Sequence, residues 1–227
     1  MKKIILPLLI LLMITQSCVT SLQPLATYST AVNDERLVGT WNTDGQDYTV
    51  QRFFESDLYK KLKSETDKHK DDANKSYSKK DIEDSILYSK SYAVKYTKDN
   101  VEYHMFGNMV KLNGKLFINF TAVDINANES NEKAFELELA DRLNTNTIAR
   151  VRFNNSSNTV YLDFIDGGFL YDQVKAGRMK IKNERDELYD TFLITASTNE
   201  LQQFIQKYGD DDRFFNKENS VTLIRKS

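Results

Sequence analysis

Beyond its N-terminal part, the chain alternates apolar and polar positions with a period of two, as β-strands with one buried face do. Residues 91–97 show this alternation, and residues 101–112 resume it after a short connection. The next apolar run, residues 115–123, follows directly on Asn113-Gly114, a pair that suits the positive φ angles of a type I′ turn. The pattern therefore predicts three consecutive antiparallel strands joined as a meander.

A further hairpin is predicted over residues 147–166, where the apolar positions select the register. A four-residue loop at residues 154–157 gathers the apolar side chains on one face, whereas a five-residue loop mixes the two faces. The shorter loop is therefore preferred. It sets Phe153 opposite Asn158, Val151 opposite Val160, Ala149 opposite Leu162, and Arg150 beside Tyr161 with Asp163 on the diagonal.

The clearest helix lies between two more strands, at residues 189–195 and 220–225. Ser197 and Glu200 have the spacing of a capping box, and Gly209 fits the C′ position that follows the end of a helix. The apolar residues between them recur at i, i+3, i+4 and i+7, so this helix should lie on a sheet face. They are Leu201, Phe204, Ile205 and Tyr208.

A strongly charged segment, residues 59–90, separates a predicted strand at residues 47–54 from the meander. It is rich in lysine, aspartate and serine, and Ser78 lies three residues before Asp81, which permits a helix cap. The segment is therefore predicted to be a helical insertion. Two interpretations of it remain open: a solvated surface excursion, and an arm that binds a partner.

The first residues have the pattern of an export signal. Lys2 and Lys3 precede an apolar run at residues 4–14, which is too short to span a bilayer core of about 30 Å. A small residue, Ser17, then precedes Cys18, the one cysteine of the chain. This ending resembles the lipobox of bacterial lipoproteins, and the resemblance implies cleavage before the cysteine and its lipidation.

The resemblance to lipoproteins divides the chain into a signal peptide at residues 1–17, a lipidated tether at residues 18–35 and one domain at residues 36–227. The tether is predicted because its residues are small and polar and show no periodicity. Several acyl chains on Cys18 would hold the protein stably at a membrane, since each buried CH₂ contributes about 0.8 kcal/mol. Val19 follows in place of aspartate, which in the sorting pattern of enteric lipoproteins implies the outer membrane, with the domain facing the periplasm.

The charge balance argues against nucleic-acid binding. Without the two signal-peptide lysines, the 31 basic residues become 29 against 33 acidic ones, for a mature net charge of −4. The sequence shows no catalytic or cofactor-binding motif, and no cofactor is expected. His69 and His104 lie far apart and do not supply the three or four ligands of a zinc site. His104 alternates with Glu102, which leaves two interpretations: a general base inside a barrel, or an ordinary strand histidine.

Strands in meander order, Gly39-x-Trp41 at the first strand and a helix before the last strand together resemble the lipocalin-like proteins. The resemblance implies a mainly β fold: an antiparallel barrel of about eight or nine strands with one C-terminal helix. It also implies that the tryptophan closes the bottom of the barrel and that the glycine lets the backbone pass close to it. Residues 149–167 and 193–215 are similar to a subgroup of small lipocalin-like bacterial lipoproteins of unassigned activity.

Two non-catalytic functions fit this architecture. In the first, an envelope lipoprotein holds a small apolar or amphipathic ligand in its barrel, against inward-facing aromatic residues such as Tyr92, Tyr103, Phe117 and Phe120. In the second, the barrel is filled, and its surface, including the charged insertion, meets another envelope protein. An enzyme is a third hypothesis, for which the motifs assemble no catalytic group.

Overall fold

The computed structural model describes residues 19–68, 78–98, 100–123, 145–186, 191–217 and 220–226. The predicted signal peptide, Cys18 with its lipidation, and His69 lie outside these residues. In chain order the described strands are β1 (Val19–Ser21), β2 (Ala31–Val32), β3 (Gly39–Thr43), β4 (Gln46–Arg52), β5 (Ser91–Lys98), β6 (Val101–Leu112), β7 (Lys115–Val123), β8 (Asn146–Phe153), β9 (Thr159–Phe164), β10 (Asn183–Asp186), β11 (Thr191–Ile194) and β12 (Val221–Arg225). The described α-helices are α1 (Asp57–Lys68), α2 (Lys79–Ser89), α3 (Gly167–Lys175) and α4 (Thr198–Tyr208), and Glu35–Leu37 and Phe53–Glu55 form short 3₁₀ turns.

Eight of these strands close into an antiparallel barrel. Strands β3 to β9 each pair with the next in sequence, and β12 completes the ring by pairing with both β9 and β3. Closure leaves the strands of the ring without a free edge, which removes a site of unwanted pairing. The prediction of a mainly β, closed antiparallel barrel is confirmed, with eight strands in the ring.

The predicted meander is confirmed in β5, β6 and β7. Strand β6 runs unbroken over twelve residues and pairs with both neighbours. At the turn into β7, Asn113 and Gly114 have φ angles of 48° and 78°, as a type I′ turn requires.

Two separate groups of buried side chains show which face of each strand points inward. Trp41, Val94 and Ile118 belong to one cluster, which we call the inner core. Val110 and Phe117, on the alternate positions, cluster instead with helix α4 in what we call the outer core. A helix with its side chains is about 10 Å wide and does not fit inside an eight-stranded barrel. The inner core is therefore the barrel interior, and α4 covers the outside.

One predicted register is wrong by two residues. The observed pairs in hairpin β8–β9 are Phe153 with Val160, Val151 with Leu162, Ala149 with Phe164 and Arg150 with Asp163. The loop is longer than predicted because the side chain of Asn154 accepts a hydrogen bond of 3.0 Å from the amide of Thr159 and closes the turn there. A shift of two residues does not exchange the faces, so the predicted division into an apolar and a polar face is right.

The segment before the barrel is folded onto it. Strand β1 pairs in parallel with β11, and β2 pairs with β6. Leu25 and Ala26 are buried in the outer core, with exposures of 0% and 1%. The prediction of a tether over residues 18–35 is therefore wrong for the described part of that segment. Its scattered apolar residues show no period because each covers a different part of the barrel's outer wall.

The predicted strand at residues 189–195 forms β11, but it lies outside the barrel. Strands β10, β11 and β1 extend the sheet from β8, where Ser21 pairs with Asn146. Phe192 and Ile194 of β11 pack in the outer core. This strand therefore adds nothing to the barrel interior.

Helix α4 has the predicted capping box and lies on a sheet face. The hydroxyl of Ser197 accepts a hydrogen bond from the amide of Glu200, whose carboxylate accepts one from the Ser197 amide at 2.9 Å. Gly209 does not have the left-handed conformation expected of a C′ residue, since its φ is −65°. A Cβ at Gly209 would lie 2.7 Å from Cζ of Phe117, so glycine is required there for close approach of the helix end to the barrel wall.

The charged insertion is helical where the structure describes it. Helices α1 and α2 lie mostly within it, and Ser78 caps α2 as predicted. Leu58 of α1 packs with Phe53 against the outer wall of the barrel. Helix α2 leaves Ile82 and Ile86 exposed, at 53% and 39%.

Candidate ligand site inside the barrel

One end of the barrel, which we call the sealed end, is closed by Trp41 and Arg225. The Trp41 ring is fully buried, and its Nε1 donates a hydrogen bond of 2.8 Å to the carbonyl of Leu37. The guanidinium of Arg225 lies over this ring, 4.2 Å from its centroid, and donates to the carbonyl of Val38 at 2.9 Å. Gly39 has a φ of 141°, and a Cβ there would collide with the Arg225 guanidinium. The glycine thus leaves room for the cation that covers the tryptophan.

Tyr92 completes the sealed end. Its ring is fully buried, and its hydroxyl accepts a hydrogen bond from the Asp34 amide at 2.6 Å and donates one to the Asp34 carbonyl at 3.1 Å. Burial raises the pKa of Tyr92, partly offset by the hydrogen bond from the Asp34 backbone. The neutral phenol therefore ties the chain before β3 to the barrel.

The barrel interior is packed from the sealed end to its middle. Most inward-facing side chains of this half are no more than 6% exposed, and Leu116 and Phe153 are partly buried at its rim. The buried ones include Val50, Val94, Met109, Ile118, Ala149, Val151, Val160, Leu162 and Leu223. A barrel of eight strands is about wide enough to be filled by its own side chains, and this half is filled.

The opposite end, which we call the tyrosine end, is lined by three tyrosines that are only partly buried. The ring centroids of Tyr48 and Tyr96 are 5.2 Å apart, and Tyr96 stacks on Tyr103 at 4.9 Å with an interplanar angle of 11°. Tyr103 is 42% exposed. Four further inward-facing residues near this end are partly exposed: Met105, Phe120, Phe164 and Val221. Apolar surface inside this half of the barrel thus remains accessible.

The tyrosine hydroxyls supply the polar groups of this end. Burial raises the pKa of Tyr48, with smaller contributions from Tyr96 and Asp44, so its phenol is neutral at physiological pH. Hydrogen bonds from these three hydroxyls to other described residues are absent. Each hydroxyl can donate one hydrogen bond and accept others, which suits a ligand with an apolar body and a neutral polar group.

The structure places three of the four predicted pocket residues in the barrel interior. Tyr103 and Phe120 lie towards the tyrosine end, and Tyr92 lies at the sealed end. Phe117 faces the outer core, where it is 1% exposed and its ring centroid is 5.4 Å from that of Phe215. The prediction that Phe117 points inward is therefore wrong, because the odd-numbered positions of β7 face outward.

Several residues of the interior were missed by sequence analysis. Tyr96 could have been found once Tyr103 is placed inside, because the hairpin register makes the two residues direct cross-strand partners. Met105 follows from the same alternation on β6. Arg225 and Phe164 had no comparable signal, because their positions depend on how the last strands close the ring.

His104 and Glu102 lie outside the barrel. The His104 side chain is buried, with its Nε2 2.7 Å from Oε1 of Glu102, and Lys61 of α1 lies 3.1 Å from the same carboxylate. The hydrogen bond with His104 lowers the pKa of Glu102 to about 2, helped by Lys61 and Lys95 and opposed by burial. The hypothesis of a general base inside the barrel is therefore wrong, since this pair fastens α1 to the outer wall.

A buried ionic network fastens the C-terminal segment to the barrel wall. Asp163 is fully buried and accepts hydrogen bonds from Nε of Arg150 at 3.0 Å and Nε of Arg152 at 2.7 Å. Arg150 also donates to the carbonyl of Gly209 at 3.1 Å and to Asp212 at 2.9 Å. Because the guanidinium of Arg150 has partners on three segments, we interpret the network as structural.

Among the described residues, no group of three or more His, Cys, Asp and Glu side chains is placed to hold a metal ion. The acidic run at residues 210–212 is paired with cations instead, since Asp210 contacts Lys115 and Asp211 contacts Arg213. The helices in the described part of the chain are too short or too polar to cross a bilayer.

Neither a protein-family model, nor a curated protein sequence, nor a solved structure matches this chain. The resemblance to lipocalin-like lipoproteins thus depends on the sequence motifs alone.

Proposed function

We propose that the protein is a lipid-anchored envelope protein whose barrel binds one small apolar or amphipathic ligand at the tyrosine end. The supporting observation is that side chains on the inward face of a single strand become more exposed towards the tyrosine end. On β6, Met109 is fully buried, whereas Tyr103 is 42% exposed. An apolar interior that is sealed at one end and accessible at the other has the form of a blind pocket, the common form of small-molecule sites.

The lining favours a neutral ligand. Phe120, Phe164 and Met105 offer apolar surface, and the tyrosines offer hydroxyl groups beside it. A charged group carried into this lining would lose its hydration without gaining a counter-charge. Because half of the interior is already filled, the remaining space suits one small molecule.

The membrane anchor is proposed from the sequence, in which Cys18 follows a signal-like segment. Strand β1 begins at Val19, so a single peptide unit, about 3.8 Å between Cα atoms, separates Cys18 from the folded domain. Acyl chains on Cys18 would therefore hold the barrel domain against the bilayer surface. An apolar ligand could then pass between the bilayer and the barrel over a short distance.

Titration of the purified protein with N-phenyl-1-naphthylamine, a neutral dye that fluoresces in apolar sites, tests the barrel pocket. Tyr103→Asp places a charge at the accessible end and should weaken dye binding at least about tenfold. Ile224→Asp is the matched control, because Ile224 is 58% exposed on the outer face of β12. The control should bind the dye like the parent protein. Absence of saturable binding, or equal weakening in both variants, would contradict the proposal.

The second candidate function is interaction with an envelope protein through α2. It is favoured by the exposure of Ile82 and Ile86, which lie one turn apart on that helix. Cross-linking in cells can compare the parent protein with an Ile82→Ser/Ile86→Ser double variant. A specific partner lost from the double variant, together with no dye binding in the barrel, would favour this function over the first.

A further inference from the structure

A groove of about 950 Å³ lies outside the barrel, between helix α4 and the chain that follows α3. Its lining residues all lie outside the eight strands of the ring, so it is separate from the tyrosine end. The floor is apolar: Met179, Ala196 and Phe204 are buried, with exposures of 5%, 0% and 6%. Val174 and Ile181 pack beside them.

The turn after α3 builds one wall of the groove. Gly177 has a φ of 69°, which allows the chain to reverse at the end of the helix. The amides of Arg178 and Met179 both donate to the carbonyl of Gln173, at 2.9 Å and 3.1 Å. This reversal buries Met179 while its neighbours Arg178 and Lys180 remain exposed. The backbone thus places cations on both sides of an apolar side chain.

The rim of the groove is strongly basic. Arg178, Lys180, Lys182 and Lys207 line it, and the one acidic lining residue is Glu200. Nζ of Lys182 lies 2.9 Å from Glu200, and this contact, with the Ser197 cap, lowers the pKa of Glu200 to about 2. Four cations against one carboxylate leave a local charge of +3 in a chain whose net charge is −2.

We propose that this groove binds a single-chain amphiphile with an anionic head group. The acyl chain would lie on the partly exposed side chains of Val174 and Ile181, above the buried floor. The head group would lie among Lys180, Lys207 and Arg178. An inorganic anion would leave these two apolar side chains in contact with water, and a neutral amphiphile would leave the cations without a counter-charge. Only a molecule with both parts matches both features of the groove.

Calorimetric titration with decanoate, decanol and acetate tests this inference. The titrations use the Tyr103→Asp variant, in which the charge at the tyrosine end disfavours binding of neutral decanol inside the barrel. Decanoate should bind at least about tenfold more tightly than decanol, because only decanoate brings a charge to the basic rim. Acetate has the same head group without a chain and should show no saturable binding. Equal affinities for decanoate and decanol would overturn the inference, as would acetate binding as tight as that of decanoate.

A charge-reversed variant locates the site. Lys180→Glu/Lys207→Glu alters two exposed side chains and should weaken decanoate binding at least about tenfold. Lys80→Glu, at an exposed lysine of α2, is the matched control and should bind decanoate like the parent protein. Tyr103→Asp should leave the decanoate affinity unchanged. If Tyr103→Asp abolishes binding while the double variant retains it, decanoate lies in the barrel and the groove is not its site.

Discussion

The guanidinium of Arg225, on the last strand of the barrel, covers the buried ring of Trp41, on the first strand, at 4.2 Å from the ring centroid. The two residues are direct partners in the register of β12 and β3. Arg225 also donates to the carbonyls of Val38 and Arg36, at 2.9 Å and 2.5 Å. One side chain therefore helps to close the strand ring and to seal its end.

Arg225→Lys should lower the free energy of unfolding by about 1–3 kcal/mol, because an ammonium group does not reproduce both the stacking on Trp41 and the forked hydrogen bonds. Denaturant titration, monitored by tryptophan fluorescence, measures this free energy directly, because Trp41 is the only tryptophan in the chain. Arg213→Lys is the control, because Arg213 forms an exposed ion pair with Asp211. A similar small change in both variants would show that Arg225 does not hold the sealed end together.

Leu25→Ala should lower the free energy of unfolding by about 2–5 kcal/mol, because Leu25 is fully buried in the outer core. Tyr28→Ala, in the same segment at 38% exposure, should have a much smaller effect. Chemical denaturation of the two variants provides the comparison. If neither substitution changes stability, the segment before the barrel behaves as a tether after all.

Asp163→Asn should lower the free energy of unfolding by about 3 kcal/mol or more at pH 7, because it leaves Arg150 and Arg152 without their buried counter-charge. Asp47→Asn is the control, since Asp47 forms an exposed ion pair with Lys226 and should matter little. Denaturant titrations of both variants measure the difference.

The effect of Asp163→Asn should depend on pH. Burial alone would raise the pKa of Asp163, but hydrogen bonds from Arg152, Ser220 and Arg150 outweigh it, so the pKa lies below its ordinary value of 3.8. The ionised carboxylate therefore stabilises the folded state above pH 3.8, and this contribution is lost as the pH falls through the folded-state pKa. The stability difference between the parent protein and the variant should narrow below about pH 4. A difference that stays constant down to pH 2 would contradict this assignment.

Local patterns in the sequence were sufficient to predict most elements of the barrel. Alternation with a period of two correctly predicted β5, β6 and β7. Asn113-Gly114 correctly predicted the turn that joins β6 to β7. The Ser197 capping box gave the start of α4. These signals act between residues that are close in the chain, so a single sequence contains them.

The inner face of the barrel could not be predicted in the same way. Phe117 and Phe120 look alike in the sequence, yet they lie on opposite sides of β7 because one meets α4 and the other meets the interior. Residues 19–32 show no period, because they are held by contacts with distant strands. The pairing of Arg225 with Trp41 likewise depends on closure of the ring, which local patterns do not report.

The proposed ligand site requires a barrel interior that is filled at the sealed end and accessible at the tyrosine end. Met105 and Met109 test it, because both face the interior from β6, and only Met105 is partly exposed. The measurement is the rate at which N-ethylmaleimide labels Met105→Cys and Met109→Cys, with Cys18 common to both proteins. Met105→Cys should be labelled at least about tenfold faster than Met109→Cys, and bound dye should slow its labelling. Met109→Cys should react only when the fold opens. Equally slow labelling at both positions would show a filled barrel and contradict the proposed ligand site.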